Sequence, residues 1–279
     1  RVAVFVCPYS SQFCREGIVA ILTPTSGGQS QFRIFQWIPD KLEQTFSQTS
    51  EVLSYTPQAF IVHPFTNNNL LTIESDPVPN RRTGLDIHGT DVAPRWTSCL
   101  RMLQVTSNSN TTITTESYPA NEAAVSLCSC TFKNLKGETY VCVGTAVNYD
   151  SIQKSAEKGY IYTYQLVNSR KKFQLVHRTT LNGAPGAMTS IHGLLLVGVG
   201  NVLGVYDHRK NGLVLKADCK SISWPIVSLS VSADGPTATR QRIVVADSSE
   251  SFHFLEYKRH NNAFTILAED QVPRSITAA

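Results

Sequence analysis

Among the side chains able to carry acid–base, metal or nucleophilic chemistry, histidines and cysteines come first, and in this sequence both are scattered. The seven histidines are His63, His88, His177, His192, His208, His253 and His260, and none stands beside a carboxylate-rich motif that would orient an imidazole as a general acid or base. The seven cysteines, Cys7, Cys14, Cys99, Cys128, Cys130, Cys142 and Cys219, are irregularly spaced and mostly embedded among apolar residues, which points to a reducing compartment and not to a disulfide framework. Cys128 and Cys130 are the one close pair. On a strand, C-x-C turns both thiols to one face, and without a second Cys or His pair at zinc-ligand spacing they read as small buried hydrophobes.

The remaining constellations are equally bland. Gly198, Gly200 and Gly204 approximate a dinucleotide loop, but the spacing is one residue too long, and Val202 to Tyr206 reads as a strand where a pyrophosphate needs a helix N-terminus. They read as a hairpin turn. Asp247 and Glu250 fall in a turn between strands and read as solvated turn residues. The sequence contains no G-x-S-x-G nucleophile turn, no Walker loop and no H-E-x-x-H pair. The expectation is a non-catalytic chain with no catalytic residue, metal site, cofactor or small-molecule substrate.

The elements that would position any such residue follow from a repeat. From Asn121 onward, three units each hold a first strand, a second strand ending in a small or polar turn, a third strand with a tyrosine, a polar tip and a fourth strand. The first runs AAVSLCSCTF, YVCVGTAV, GYIYTYQLV, FQLVHRTTL; the second APGAMTSI, LLLVGVG, NVLGVYD, GLVLKADC; the third PIVSLSVS, RIVVADS, SFHFLEYK, AFTILAED. Four short strands recurring about every 40 to 60 residues is the pattern of a propeller blade. Leu194 to Val197 and Ile243 to Ala246 are apolar on both faces, as strands sandwiched between neighbouring blades must be. In FQLVHRTTL a period of two places Phe173, Leu175 and His177 on one face and Gln174, Val176 and Arg178 on the other. Tyr164, Tyr206 and Tyr257 fall at matching third-strand positions, where core packing explains them.

Before Asn121 the repeat is less clean. GIVAILT, QFRIFQW and KLEQTFSQ read as the last three strands of one blade; AFIVHPF, NLLTIESD, WTSCLRML and TTITTESY read as the next, with a loop from Asp76 to Pro94. Between Asp40 and Leu53 the spacing of Leu42 and Phe46 would tolerate a helix, but the Thr and Ser content of Thr45 to Ser50 favours a strand. The fold expected is all-β: a β-propeller of four-stranded antiparallel blades, with sheets starting near Asn121, Ala184 and Pro225.

Composition leaves surfaces, not pockets, as the place for function. The chain is 42% hydrophobic and 16% charged, its net charge of +4 is mild, and its longest apolar run, Ile191 to Val199, is broken by His192, Gly193 and Gly198. A membrane span needs about 18 apolar residues, so none is expected. The tips between third and fourth strands repeat a basic cluster: Arg170, Lys171 and Lys172, then His208, Arg209 and Lys210, then Lys258, Arg259 and His260. A propeller would present them as an arc on one face. Hairpin tips are commonly charged and solvated; the functional reading is an acidic protein surface or an RNA backbone, approached without base readout.

EGIVAI, YTPQAFIVHP, NNNLLTIESD, NEAAVSLCSC, GVGNVLGVYD and ADSSESFHFLEYKRHNNAFTILAEDQVPRSITA carry a resemblance that extends along essentially the whole chain. The sequence resembles the family that includes splicing factor 3B subunit 3, damage-specific DNA-binding protein 1 and the large subunit of the cleavage and polyadenylation specificity factor. ESFHFLEYKRHNNAF and AEDQVPR are most similar to the splicing branch. The resemblance implies an internal segment of a protein with three seven-bladed propellers, residues 1–52 ending the second and residues 53–279 opening the third, cut before its ring closes. It also implies a nuclear, non-catalytic scaffold whose partners are other splicing factor 3b subunits; the repeat itself, and not the resemblance, offers Arg170, Lys171, Lys172, Arg209, Lys210, Lys258 and Arg259 as a basic interaction arc for non-specific RNA contact. Sister members imply the alternative of an adaptor in ubiquitin ligation or 3′-end processing. The loop from Asp76 to Pro94 is shorter than the charged insertion of that subunit.

Overall fold

The computed structural model describes residues 2–12, 17–23, 31–36, 47–78, 95–106, 109–135, 138–232, 240–249, 252–270 and 272–273. Among these there is no helix, and the strands form five four-stranded antiparallel sheets, each a simple meander. The first contains β1 (Val2–Tyr9), β2 (Gly17–Thr23), β3 (Gln31–Gln36) and β4 (Ser47–Val52). The second contains β5 (Pro57–Val62), β6 (Asn69–Val78), β7 (Arg95–Val105) and β8 (Asn110–Ser117). The third contains β9 (Glu122–Thr131), β10 (Thr139–Val147), β11 (Lys158–Val167) and β12 (Lys172–Leu181). The fourth contains β13 (Pro185–Ile191), β14 (Leu194–Val199), β15 (Val202–Arg209) and β16 (Gly212–Cys219); the fifth contains β17 (Ile226–Val231), β18 (Arg240–Asp247), β19 (Phe252–Lys258) and β20 (Ala263–Glu269).

The three repeat units of the sequence are therefore the last three sheets, strand for strand. Upstream, GIVAILT is a second strand, preceded by β1, an element that pattern reading missed; the strand expected between Asp40 and Leu53 is present as Ser47–Val52, and residues 37–46 lie outside the described set. Most of the Asp76 to Pro94 loop, residues 79–94, also lies outside it.

Sheets stack in chain order because second and third strands are apolar on both faces. In β6, Leu70 belongs to the cluster shared with the first sheet, with Tyr9, Phe32 and Phe60, while Leu71 belongs to the cluster shared with the third, with Val141 and Tyr164. In β14, Leu195 and Val197 face Cys130, Cys142 and Phe132 of the third sheet, and Leu196 faces Ile226, Ile243 and Tyr257 of the fifth. Alternate side chains thus feed alternate interfaces, a direct consequence of the two-residue strand period. First strands β5, β9, β13 and β17 touch in succession. Close approach there requires missing side chains: a Cβ on Gly186 would sit 2.4 Å from the Ile226 carbonyl oxygen.

Backbone ties lock neighbouring sheets. Ser75 Oγ donates to the Ala124 carbonyl and accepts from the Ala124 N–H, both at 2.9 Å, Ser126 Oγ donates to the Pro185 carbonyl, and the Ile226 N–H donates to the Gly200 carbonyl at 2.8 Å.

Bulges break the simple alternation at repeated places. Each first strand is bulged against its second, and in the last four sheets the fourth strand is bulged against the third, at Ile113, Val176, Lys216 and Leu267. No such shift occurs between β3 and β4. A bulge reverses which face the following residues occupy. Leu175 pairs with Tyr164 but His177 pairs with Thr163, so Phe173 and Leu175 share a face with Arg178, while His177 lies opposite with Gln174. The face assignment read from strict alternation is therefore wrong beyond Val176. The tyrosines need a similar correction: Tyr164 and Tyr206 both sit at the bulge, opposite Leu175 and Leu215, but Leu255 holds that place in β19, and Tyr257 lies two residues on. All three tyrosines do pack in or against core clusters.

Candidate functional site

A meander places the turns after first and third strands at one rim of every sheet. The basic clusters all lie on that rim, as the repeat predicted, but not residue for residue. Arg170 and Lys171 are within the β11–β12 turn, Lys172 begins β12, Arg209 ends β15, Lys210 is in the next turn, Lys258 ends β19 and Arg259 opens the turn after it.

Several of these cations have internal work. The Arg170 guanidinium lies 3.7 Å from the Phe65 ring centroid, a cation–π contact with the β5–β6 turn of the preceding sheet. Arg209 pairs with Asp207 at 3.0 Å and Lys258 with Glu256 at 3.7 Å. His208 is buried, its ring against Phe132, Tyr140 and His177. Lys171, Lys172 and Lys210 are exposed and meet no carboxylate among the described residues.

The first-to-second turns contribute to the same rim, and those of the second, third and fourth sheets reach the end of the third strand or the turn after it in the next sheet. His63 contacts Arg170, Asn134 donates through Nδ2 to both Asp207 carboxylate oxygens at 2.9 and 3.1 Å, and His192 lies 6.5 Å, centroid to centroid, from Tyr257. Lys133, Asn134, His192, Leu194, Asp207, Lys216, Arg259 and Asn262 line a pocket where these turns converge. Lys133, His192 and Lys216 were missed because only third-to-fourth tips were compared. The meander rule applied to first-to-second turns would have found Lys133 and His192.

Within the sheets, three carboxylates are buried and hydrogen-bonded. Glu122 accepts from Thr145 Oγ1 (2.9 Å), the Tyr162 hydroxyl (2.9 Å) and Arg178 (3.0 Å), whose guanidinium lies 3.5 Å from the Tyr160 ring centroid. Glu74 accepts from Arg101 and from the Ser54 and Tyr55 N–H groups. Asp247 is not the solvated turn residue expected: it is fully buried, accepts the Ser249 N–H at 2.9 Å and lies 2.8 Å from His253 Nε2. His253 is thus oriented by a carboxylate after all, with Glu269 3.7 Å from its Nδ1; no hydroxyl or thiol nucleophile bonds to it among the described residues. Glu250 lies outside the described residues.

The other candidates resolve plainly. Gly200 sits at φ 54° in the tight turn between paired Val199 and Val202, a hairpin as expected, and no helix follows it. Cys128, Cys130 and Cys142 share an apolar cluster with Phe132, Ile161 and Leu195, where burial pushes the Cys130 thiol well up and a Cys142 contact plus burial do the same for Cys128. No helix of the described residues is long and apolar enough to cross a membrane. His88 and Cys14 lie outside the described residues.

Comparison with known proteins adds the family context. Residues 87–279 match the family model described as the CPSF A subunit region. The chain is 30% identical to Spliceosome-associated protein 130 A of Arabidopsis thaliana over 99% of its own length and 25% of that protein. It is 31% identical to Splicing factor 3B subunit 3 of Danio rerio over 97% of the chain and 24% of the relative. Pre-mRNA-splicing factor RSE1 of Mycosarcoma maydis is 30% identical over 96% of the chain and 23% of that protein. The chain spans about a quarter of the length of these curated relatives.

Proposed function

Because the chain belongs to the CPSF A subunit region family, we propose that it is a segment of a non-catalytic propeller scaffold of the pre-mRNA splicing machinery, acting in the nucleus within a splicing factor 3b assembly. The carrying observation is that relatives matched along nearly the whole chain bear the names of splicing proteins. A ubiquitin-ligase or 3′-end-processing adaptor is disfavoured on the same ground. The saturated Glu74, Glu122 and Asp247 networks support a structural role for buried charge, leaving the rims to meet partners.

Residues 1–52 would end one propeller and residues 53–279 open the next. The bulge pattern supports this division, since the outer-strand bulge common to the last four sheets has no counterpart between β3 and β4. The cluster around Tyr9, Phe60 and Leu103 is then the junction between the two. Other splicing factor 3b subunits are the protein partners, and the arc of Arg170, Lys171, Lys172, Arg209, Lys210, Lys258 and Arg259 supplies electrostatic attraction toward acidic surfaces and an RNA backbone. Affinity purification of the full-length protein tests the reading: splicing factor 3b subunits are the expected companions, and cullin-ligase or polyadenylation factors in their place would overturn it.

A further inference from the structure

The pocket on the turn rim is built from three consecutive sheets. Lys133 and Asn134 come from the β9–β10 turn, His192 from the β13–β14 turn, Asp207 and Lys216 from β15 and β16, and Arg259 and Asn262 from the β19–β20 turn. Its walls are held together by the Lys133 N–H donating to the Gly193 carbonyl at 3.0 Å and by Asn134 on Asp207.

Charge in this pocket is unbalanced. Three cations, Lys133, Lys216 and Arg259, face one carboxylate, Asp207, and that carboxylate is already engaged by Asn134, Arg209 and Lys216. Arg259 is half-buried, and neither it nor Lys133 makes an ion pair among the described residues. His192 Nε2 is buried without a hydrogen-bond partner. Cations without an ion-pair partner that line a partly enclosed pocket favour an anion that supplies acceptors.

Size and lining decide which anion. The cavity is about 160 Å³, room for about five waters at roughly 30 Å³ each and below the roughly 300 Å³ at which small-molecule sites begin. A carboxylate side chain fits within that volume. Single-stranded RNA is held by exposed aromatic platforms as well as cations, and the Tyr257 and Phe132 rings beside the pocket are wholly buried.

We propose that this pocket receives a carboxylate side chain from an acidic segment of a protein partner, with Arg259 and Lys133 as its principal contacts. The inference rests on the scaffold reading and adds the chemistry of one partner contact.

The test uses the full-length protein and a fluorescein-labelled decaglutamate peptide, read by anisotropy at low salt, with a labelled decauridylate as the RNA probe. The peptide should bind, and Arg259→Gln and Lys133→Gln should each weaken it by about tenfold. Arg259→Lys should recover most of the binding, and Lys158→Gln, exposed where β11 begins on the opposite rim, should leave it unchanged. Thermal unfolding of each variant separates lost charge from lost fold. Equal peptide affinity in the wild type and both glutamine variants overturns the proposal. So does decauridylate binding that depends on Arg259 while the peptide does not bind. Splicing subunits that still copurify after a failed peptide test leave the scaffold reading standing and remove only the pocket, whereas non-splicing companions remove the scaffold reading itself.

Discussion

His63 in the β5–β6 turn holds the backbone carbonyl of Arg170 in the β11–β12 turn, Nε2 to oxygen 3.1 Å, across 107 residues of sequence. A carbonyl only accepts, so Nε2 carries the proton; Nδ1 accepts the Phe65 N–H at 3.2 Å. This fixes one neutral tautomer. Protonation of Nδ1 would cost that second bond.

The protein should therefore lose stability as pH falls below neutrality. Burial lowers the titration of His63, His192 and His208, and burial with the neighbouring His208 lowers His177 to about 4. In each case the unfolded chain takes up the proton first, near 6.5, so stability is full above that value and declines as pH drops toward the folded pKa. The expected result is a urea midpoint lower at pH 5 than at pH 7.5, with a flatter profile in His177→Gln. A midpoint that holds constant between those pH values contradicts it.

Glu74 and Arg101 form a buried pair, their side chains 0% and 10% exposed, with Arg101 Nη2 also donating to Ser54 Oγ at 2.7 Å. Glu74→Ala should destabilise by about 3 to 5 kcal/mol because it strands a buried guanidinium. Glu74→Leu with Arg101→Met should restore much of that loss. Denaturant curves for the single and double variants measure it; a double variant as unstable as Glu74→Ala would count against the pairing argument.

Deletion of Val176 should be far more damaging than Val176→Thr, although Val176 is 42% exposed. Without the bulge, either Phe173 or Arg178 is turned to the wrong face, separating Phe173 from Tyr164 or Arg178 from Glu122. Loss of a cooperative melting transition in the deletion, with the threonine variant within about 0.5 kcal/mol of wild type, is the expected pair of results.

Native thiol labelling should be selective. Burial, with the Glu74 charge, pushes Cys99 up to about 12, and Cys128, Cys130 and Cys142 are enclosed in core. Cys7 is only half-buried. Alkylation followed by peptide mass analysis should find Cys7 modified well before these four, which should react only on unfolding. Rapid native modification of Cys130 would be incompatible with the core described above.

Charge reversal across Arg170, Lys171, Lys172, Arg209, Lys210, Lys258 and Arg259 tests the arc as a phosphate-backbone surface. Each lost single-strand contact should reduce the log–log salt slope of RNA binding by about 0.7. An unchanged affinity and slope would assign these turns to solvation and to their internal contacts alone.

The blades were legible because their signals are local. Alternating apolar residues in Ile161 to Leu166, both-face apolar runs such as Leu195 to Val197, and Asn or Gly turns such as Asn168 and Gly200 each act within a few residues. The strands of the last three sheets and the rim carrying the basic turns followed from these signals without any knowledge of packing, whereas β1 did not. What the chain alone did not reveal depends on neighbours distant in sequence. The bulge at Val176 belongs to the pairing of β12 with β11, and nothing in FQLVHRTTL marks it; yet it decides that Arg178 meets Glu122 and that His177 meets His208. Asp247 looked like a turn residue because its partner His253 lies across a hairpin and its burial comes from assembled sheets. The pocket of Lys133, His192 and Arg259 exists only where three sheets stack, since side chains 59 and 67 residues apart in the sequence converge through interfaces that tertiary packing alone creates.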